Sequence, residues 1–242
     1  MRIGRFLARA GLAVGLVVVA GVGAFAAYIG WLGLDGSAPS VCRGTPVSGS
    51  LQGGRRLSYS GDNYRAYSAI LYAAGRSFMH SKVRDAMRDA YAEVYKTHPE
   101  LRFVYGESAW PWGGPLPPHK THANGTSVDF FVPVRTEDGK VAEVPGSIFN
   151  KYGYDLRFDR QGRYGAYKID FDAMGEHLLA LDKAARAHGI RIRRVIFDVN
   201  LQPRLAATKA GAAARGRMAF ATQNAWVPHS EHYHVDFEVG CR

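Results

Sequence analysis

Two short histidine clusters, far apart in the chain, hold the residue types best suited to chemistry. The first runs from Pro118 through His119, His122, Asn124 and Gly125 to Asp129; the second runs from His229 through Glu231, His232 and His234 to Asp236. Five of the nine histidines fall in these two stretches. A catalytic zinc ion takes three protein ligands of the His or carboxylate type and keeps a fourth position open. His122, Asp129 and His234 supply one such set.

The spacing says how strands would present that set. From His232 onward polar and apolar residues alternate, the pattern of a half-buried strand. His232, His234, Asp236 and Glu238 then share one face; Tyr233, Val235, Phe237 and Val239 share the other. Residues 126–132 read as a second strand with Val128, Phe130 and Val132 on one face and Asp129 on the opposite one. His122 sits upstream in the loop through Ala123, Asn124 and Gly125, from which it can fold back beside Asp129. A lone buried histidine is more often a satisfied core residue than a ligand. Two clusters with a carboxylate at ligand spacing outweigh that reading.

The two blocks resemble those of the penicillin-insensitive murein endopeptidases. These lie within the zinc peptidase group of lysostaphin-type enzymes, D-Ala-D-Ala metallopeptidases and hedgehog-like domains. The family's His-x-x-His-x6-Asp block matches His119, His122 and Asp129, and its His-x-x-His-x-His block matches His229, His232 and His234. The resemblance implies that His122, Asp129 and His234 bind Zn2+. It implies two candidate general bases, Glu231 and His232, and ligand-supporting or substrate-binding roles for His119 and His229. The implied substrate is the peptide cross-link of peptidoglycan. A D-Ala-D-Ala carboxypeptidase or dipeptidase would use the same ligands, and a non-catalytic metal-stabilised binding domain is the reading of a different class.

The elements around the blocks read as an α+β domain: a mainly antiparallel sheet carrying the zinc site on one face, with helices packed on the other. Residues 81–97 and 171–188 predict amphipathic helices, on the stripes Val83, Met87, Ala90, Val94 and Phe171, Met174, Leu178, Leu181, Ala185. Ser81 is the expected cap of the first. A further helix is expected over 62–78, and one broken near Gly211 and Gly216 over 201–217. Strands are expected over 101–107 and 191–200, with Asp198 near the end of the latter a candidate site residue. Residues 135–145 read as a polar connection. A hairpin is expected over 155–168, turning at 159–162. Trp110 and Trp112, in a Pro/Gly loop just before His119, are placed to wall a groove.

The chain has 242 residues, a formal net charge of +10 and a sequence pI near 9.7. A basic surface suits anionic partners. No zinc-finger spacing is present, and nucleic acid is not an expected partner. Arg2, Arg5 and Arg9 precede an uncharged run over 10–34, long enough to span a bilayer and oriented to export the residues beyond it. Residues 1–34 therefore read as an N-terminal membrane anchor, with a cleaved signal peptide as the alternative. Both readings give a periplasmic or cell-surface address. Residues 35–54 read as a Gly/Ser/Pro-rich linker, and 55–242 as the zinc peptidase domain. Cys42 and Cys241 are the only cysteines. In an exported chain they favour a disulfide joining the domain's start to its end, contributing roughly 4–5 kcal/mol at most by loop closure.

Overall fold

The alternation of the C-terminal block is that of a strand, and in a computed structural model of the chain that strand lies within the central sheet. The structure describes residues 38–225, 227 and 229–242, together with 17, 19–24, 27 and 28. The chain divides into two units, Met1–Ser37 and Ala38–Arg242. The expected membrane segment lies largely outside the described residues; residues 17, 19–24, 27 and 28 are helical. Among the described residues no helix is long and apolar enough to cross a membrane.

In chain order the second unit holds β1 (Val41–Gly44), β2 (Gly49–Gln52), β3 (Tyr64–Ala66), α1 (Ala69–Ala73), α2 (Ser81–Thr97), β4 (Phe103–Tyr105), β5 (Ser127–Phe131), β6 (Val134–Thr136) and β7 (Val141–Ala142). A 3-10 turn (Ile148–Gly153) comes next, then β8 (Arg163–Tyr164), β9 (Tyr167–Ile169), α3 (Phe171–Ala187), β10 (Arg191–Ile196), α4 (Gln202–Ala206), α5 (Lys209–Arg217) and β11 (His232–Glu238). The central sheet has the order β10-β11-β5-β4-β3. Its pairs are antiparallel except β3 with β4. A second sheet, β7-β6-β9-β8, and the β1-β2 hairpin are antiparallel throughout.

One face of the central sheet packs on the helices. Val128, Phe130, Tyr233 and Val235 join the buried residues of α2 and α3 in one core. Tyr233 Oη and His177 Nδ1 of α3 are hydrogen-bonded across it at 2.7 Å. Both long helices bury the stripes their periodicity predicts. Each fully buried Leu or Met there contributes about 1.5–3 kcal/mol. The other face carries His234 opposite Asp129 and His232 opposite Phe131. Strand β11 is buried on both faces up to Glu238, so it is more deeply enclosed than its half-polar pattern implies.

Several elements differ from the sequence expectation. Residues 62–78 do not form one helix: Tyr64–Ala66 pairs with β4, and Ser68 caps the short α1 by accepting from the Leu71 N–H. His80, not Ser81, caps α2, its ring accepting from the Lys82 N–H. Residues 135–145 supply β6 and β7 rather than a plain connection. The 155–168 hairpin turns at Gly165–Ala166; Asp159 instead closes a separate turn, accepting from the Gln161 and Arg163 N–H groups. The break between α4 and α5 falls at Thr208, whose hydroxyl caps α5 on the Gly211 N–H, not at the glycines. Residues 38–54 are no linker. They hold the β1-β2 hairpin, and Cys42 of β1 is disulfide-bonded to Cys241.

Candidate metal centre

The sheet register brings the two histidine blocks together. Strand β5 presents Asp129, and its antiparallel neighbour β11 presents His234 directly opposite. His234 Nδ1 lies 2.8 Å from Asp129 Oδ1. His122 reaches the same oxygen from the loop, its Nε2 3.4 Å away. His232, two residues before His234 on the same face, brings its Nε2 to 3.9 Å. The loop is bent to do this: His122 holds a left-handed backbone, φ 78°, which a β-carbon disfavours. At Gly125 the close approach is steric as well, since a β-carbon there would stand 2.6 Å from Leu51 Cδ2.

The outer nitrogen of each imidazole is anchored. His122 Nδ1 faces the Ser127 carbonyl at 3.2 Å, and His234 Nε2 bonds Asp236 Oδ1 at 2.8 Å. Asp236 is held in turn by the Ser127 hydroxyl and Arg194. Metal-binding histidines characteristically have their second nitrogen fixed in this way. His122 Nε2 is buried with no hydrogen-bond partner, an arrangement that costs free energy unless another group meets it. Burial lowers the His122 pKa and keeps the ring neutral, with its lone pair available. Burial also opposes the charged form of His234, but its bonds to Asp129 and Asp236 prevail and raise its pKa to about 9. Asp129 is held well below the usual carboxylate range: burial alone would raise it, and the surrounding histidines outweigh that. Two imidazoles and one carboxylate are the donors zinc accepts.

His119 stands on the other side of Asp129. Its Nδ1 is 3.7 Å from Oδ2, and its Nε2 pairs with Glu107 at 2.7 Å. The ligand atoms of His119, His122 and Asp129 lie within 4.8 Å of one another, a group able to hold a metal ion. Burial works against a charged His119, yet the Glu107 bond and the charges of Asp129 and Glu107 raise its pKa. Glu107 is itself fixed by two bonds from Arg76 and one from the Tyr67 hydroxyl. Arg76, Glu107 and Tyr154 carried no sequence signal; only the sheet shows that Glu107 succeeds β4 next to Asp129, whose N–H donates to the Glu107 carbonyl.

Glu231 and His232 form a dyad. His232 Nδ1 is 3.0 Å from Glu231 Oε1, which leaves Nε2 toward Asp129. Ser230 and Arg157 lie at the other Glu231 oxygen, 3.3 and 3.6 Å away. His229 packs against the His232 ring, and its Nδ1 bonds the Val227 carbonyl. Burial, aided by the neighbouring His232, pushes its pKa down to about 3, so it adds no charge beside the dyad.

These groups open on a cleft of about 630 Å³ lined by His119, Tyr154, His229, Glu231, His232 and His234, with Lys120, Lys151 and Arg157 among its cations. The Trp110 and Trp112 side chains do not line it, although Arg76 lies over the Trp110 ring and also forms part of the wall. Asp198 is turned onto Asn200 and is absent from the cleft. No protein-family model matches the sequence, and no curated protein matches it.

Proposed function

We propose that the domain is a zinc-dependent peptidase that cuts the peptide cross-links of peptidoglycan. The observation that carries this reading is the convergence on Asp129 Oδ1 of two anchored imidazoles, His122 and His234, with a third, His232, held back by Glu231. His122 Nε2, Asp129 Oδ1 and His234 Nδ1 would hold the ion. The chemistry such an ion supplies is polarisation of the scissile carbonyl and acidification of water.

His232 is the better base of the two candidates. Its Nδ1 is occupied by Glu231, and its Nε2 faces the ligand cluster, so it can take a proton from water and return it to the leaving amine. Glu231 acts through it, fixing the ring and stabilising the imidazolium. The substrate class rests on the resemblance of the two histidine blocks.

His119 favours one other reading. Were it a fourth ligand, the site would be closed, as in structural zinc centres, and the domain would bind rather than cleave. Metal analysis of the purified full-length chain, with mass analysis of digested murein, decides. About one zinc per chain and loss of cross-linked dimers supports the peptidase. Trimming of stem peptides alone points to a carboxypeptidase; zinc without any product points to the closed site. A chain that takes up no divalent metal refutes both.

A further inference from the structure

The metal reading leaves one oxygen of Asp129 without a task. Oδ1 faces His122, His232 and His234, while Oδ2 receives a hydrogen bond from the Tyr154 hydroxyl at 3.0 Å. The acceptor side of that hydroxyl is also engaged, because the Glu107 N–H donates to it at 2.9 Å. With that lone pair taken, the phenolic proton is directed at Asp129.

The chain makes room for this contact. A β-carbon at Gly106 would stand 2.5 Å from the Tyr154 oxygen and 3.1 Å from Asp129 Cβ. Gly106 has no positive φ, so its lack of a side chain matters here for space, not for backbone freedom. The Tyr154 ring is seated against Phe131, His119 and His232, which fixes where the hydroxyl points.

We infer that Tyr154 is a positioning residue for the metal, holding Oδ2 so that Asp129 coordinates through Oδ1 alone. A carboxylate that chelated through both oxygens would fill the position a catalytic site keeps open. Tyr154 and Gly106 thus protect the open coordination position as well as the ligand. The inference rests on the proposed metal site.

Tyr154→Phe and Gly106→Ala test it in the full chain. The first removes the hydroxyl and keeps the ring; the second keeps the hydroxyl and displaces it. Zinc affinity is read by competition with a chromophoric chelator, and coordination by the visible absorption of the cobalt-substituted protein. Both variants are expected to bind zinc about 10–100-fold more weakly. Both are also expected to lose cobalt absorption intensity, as four-coordinate geometry gives way to a higher number. Gly106→Ala decides alone if Tyr154→Phe does not fold. Wild-type affinity and an unchanged cobalt spectrum in the folded variants overturn the role of Tyr154. A wild-type chain that binds neither ion overturns the metal site, and this inference with it.

Discussion

In the proposed peptidase, His232 and Glu231, two neighbouring residues of similar promise, take different tasks. The strand alternation points His232 into the site, and Glu231, one residue earlier, meets it from the side. His232→Ala is expected to keep bound zinc and lower turnover about 10²–10⁴-fold, the usual contribution of a positioned base. Glu231→Gln is expected to keep zinc and lower turnover less, because the amide still contacts the ring but no longer stabilises its charge. Turnover by His232→Ala above that of Glu231→Gln would reverse the assignment. His234→Ala, by contrast, is expected to lose the metal itself, read as zinc retained after gel filtration.

At the scale of elements, the ion pair behind His119 ties three segments together. Arg76 comes after α1, Glu107 after β4, and His119 opens the loop that carries His122. Glu107 is buried with its two Arg76 bonds, and its pKa is lowered to about 2 from an ordinary 4.5: burial alone would raise it, and His119 and Arg76 outweigh that. A depressed carboxylate contributes stability that is present above pH 4.5 and is lost as pH falls toward 2. Arg76→Ala removes two charge-assisted bonds and leaves the buried carboxylate to His119 and the Tyr67 hydroxyl, which costs about 1.5–3 kcal/mol near neutrality. Denaturant unfolding should show that gap and show it narrowing as pH falls through the window. A gap that stays constant down to pH 2 would mean the pair is not its source. This network was illegible in the sequence because its members come from segments that meet only through tertiary pairing. The shared face of His232 and His234 was legible because one strand's period of two already places them together. The helices read well where seventeen residues of stripe were available, as in α2 and α3. They read poorly over 62–78, where a three-residue strand and a five-residue helix are too short for either period to emerge.

For the whole molecule, composition misled at residues 38–54. Glycine, serine and proline suggested a tether, yet β1 is fastened to the C-terminal tail. The Gly44 N–H donates to the Arg242 carbonyl, and the Arg242 N–H to the Cys42 carbonyl, beside the Cys42–Cys241 bond. Cysteine pairing was readable from count and expected export; the strand that carries it was not. The bridge spans 199 positions, for which loop closure gives roughly 5 kcal/mol as an upper figure. Replacing both cysteines by serine is expected to lower Tm on the order of 10 °C without removing zinc from the folded protein. An unchanged Tm would show that the hydrogen bonds alone hold the two ends.

That stapled junction also fixes how the domain answers to tension. Force applied between residue 42 and residue 241 runs through a covalent link and leaves the sheet between them unloaded. The His122 loop lies beside this shunt, with the Asn124 side chain 3.4 Å from Cys241 Sγ and the Ala123 N–H bonded to the Pro46 carbonyl. Once the bridge is reduced, the same pull would peel β1 away and reach the His122 loop early. Stretching single molecules by their ends, oxidised and reduced, would register this as a missing and then a present rupture.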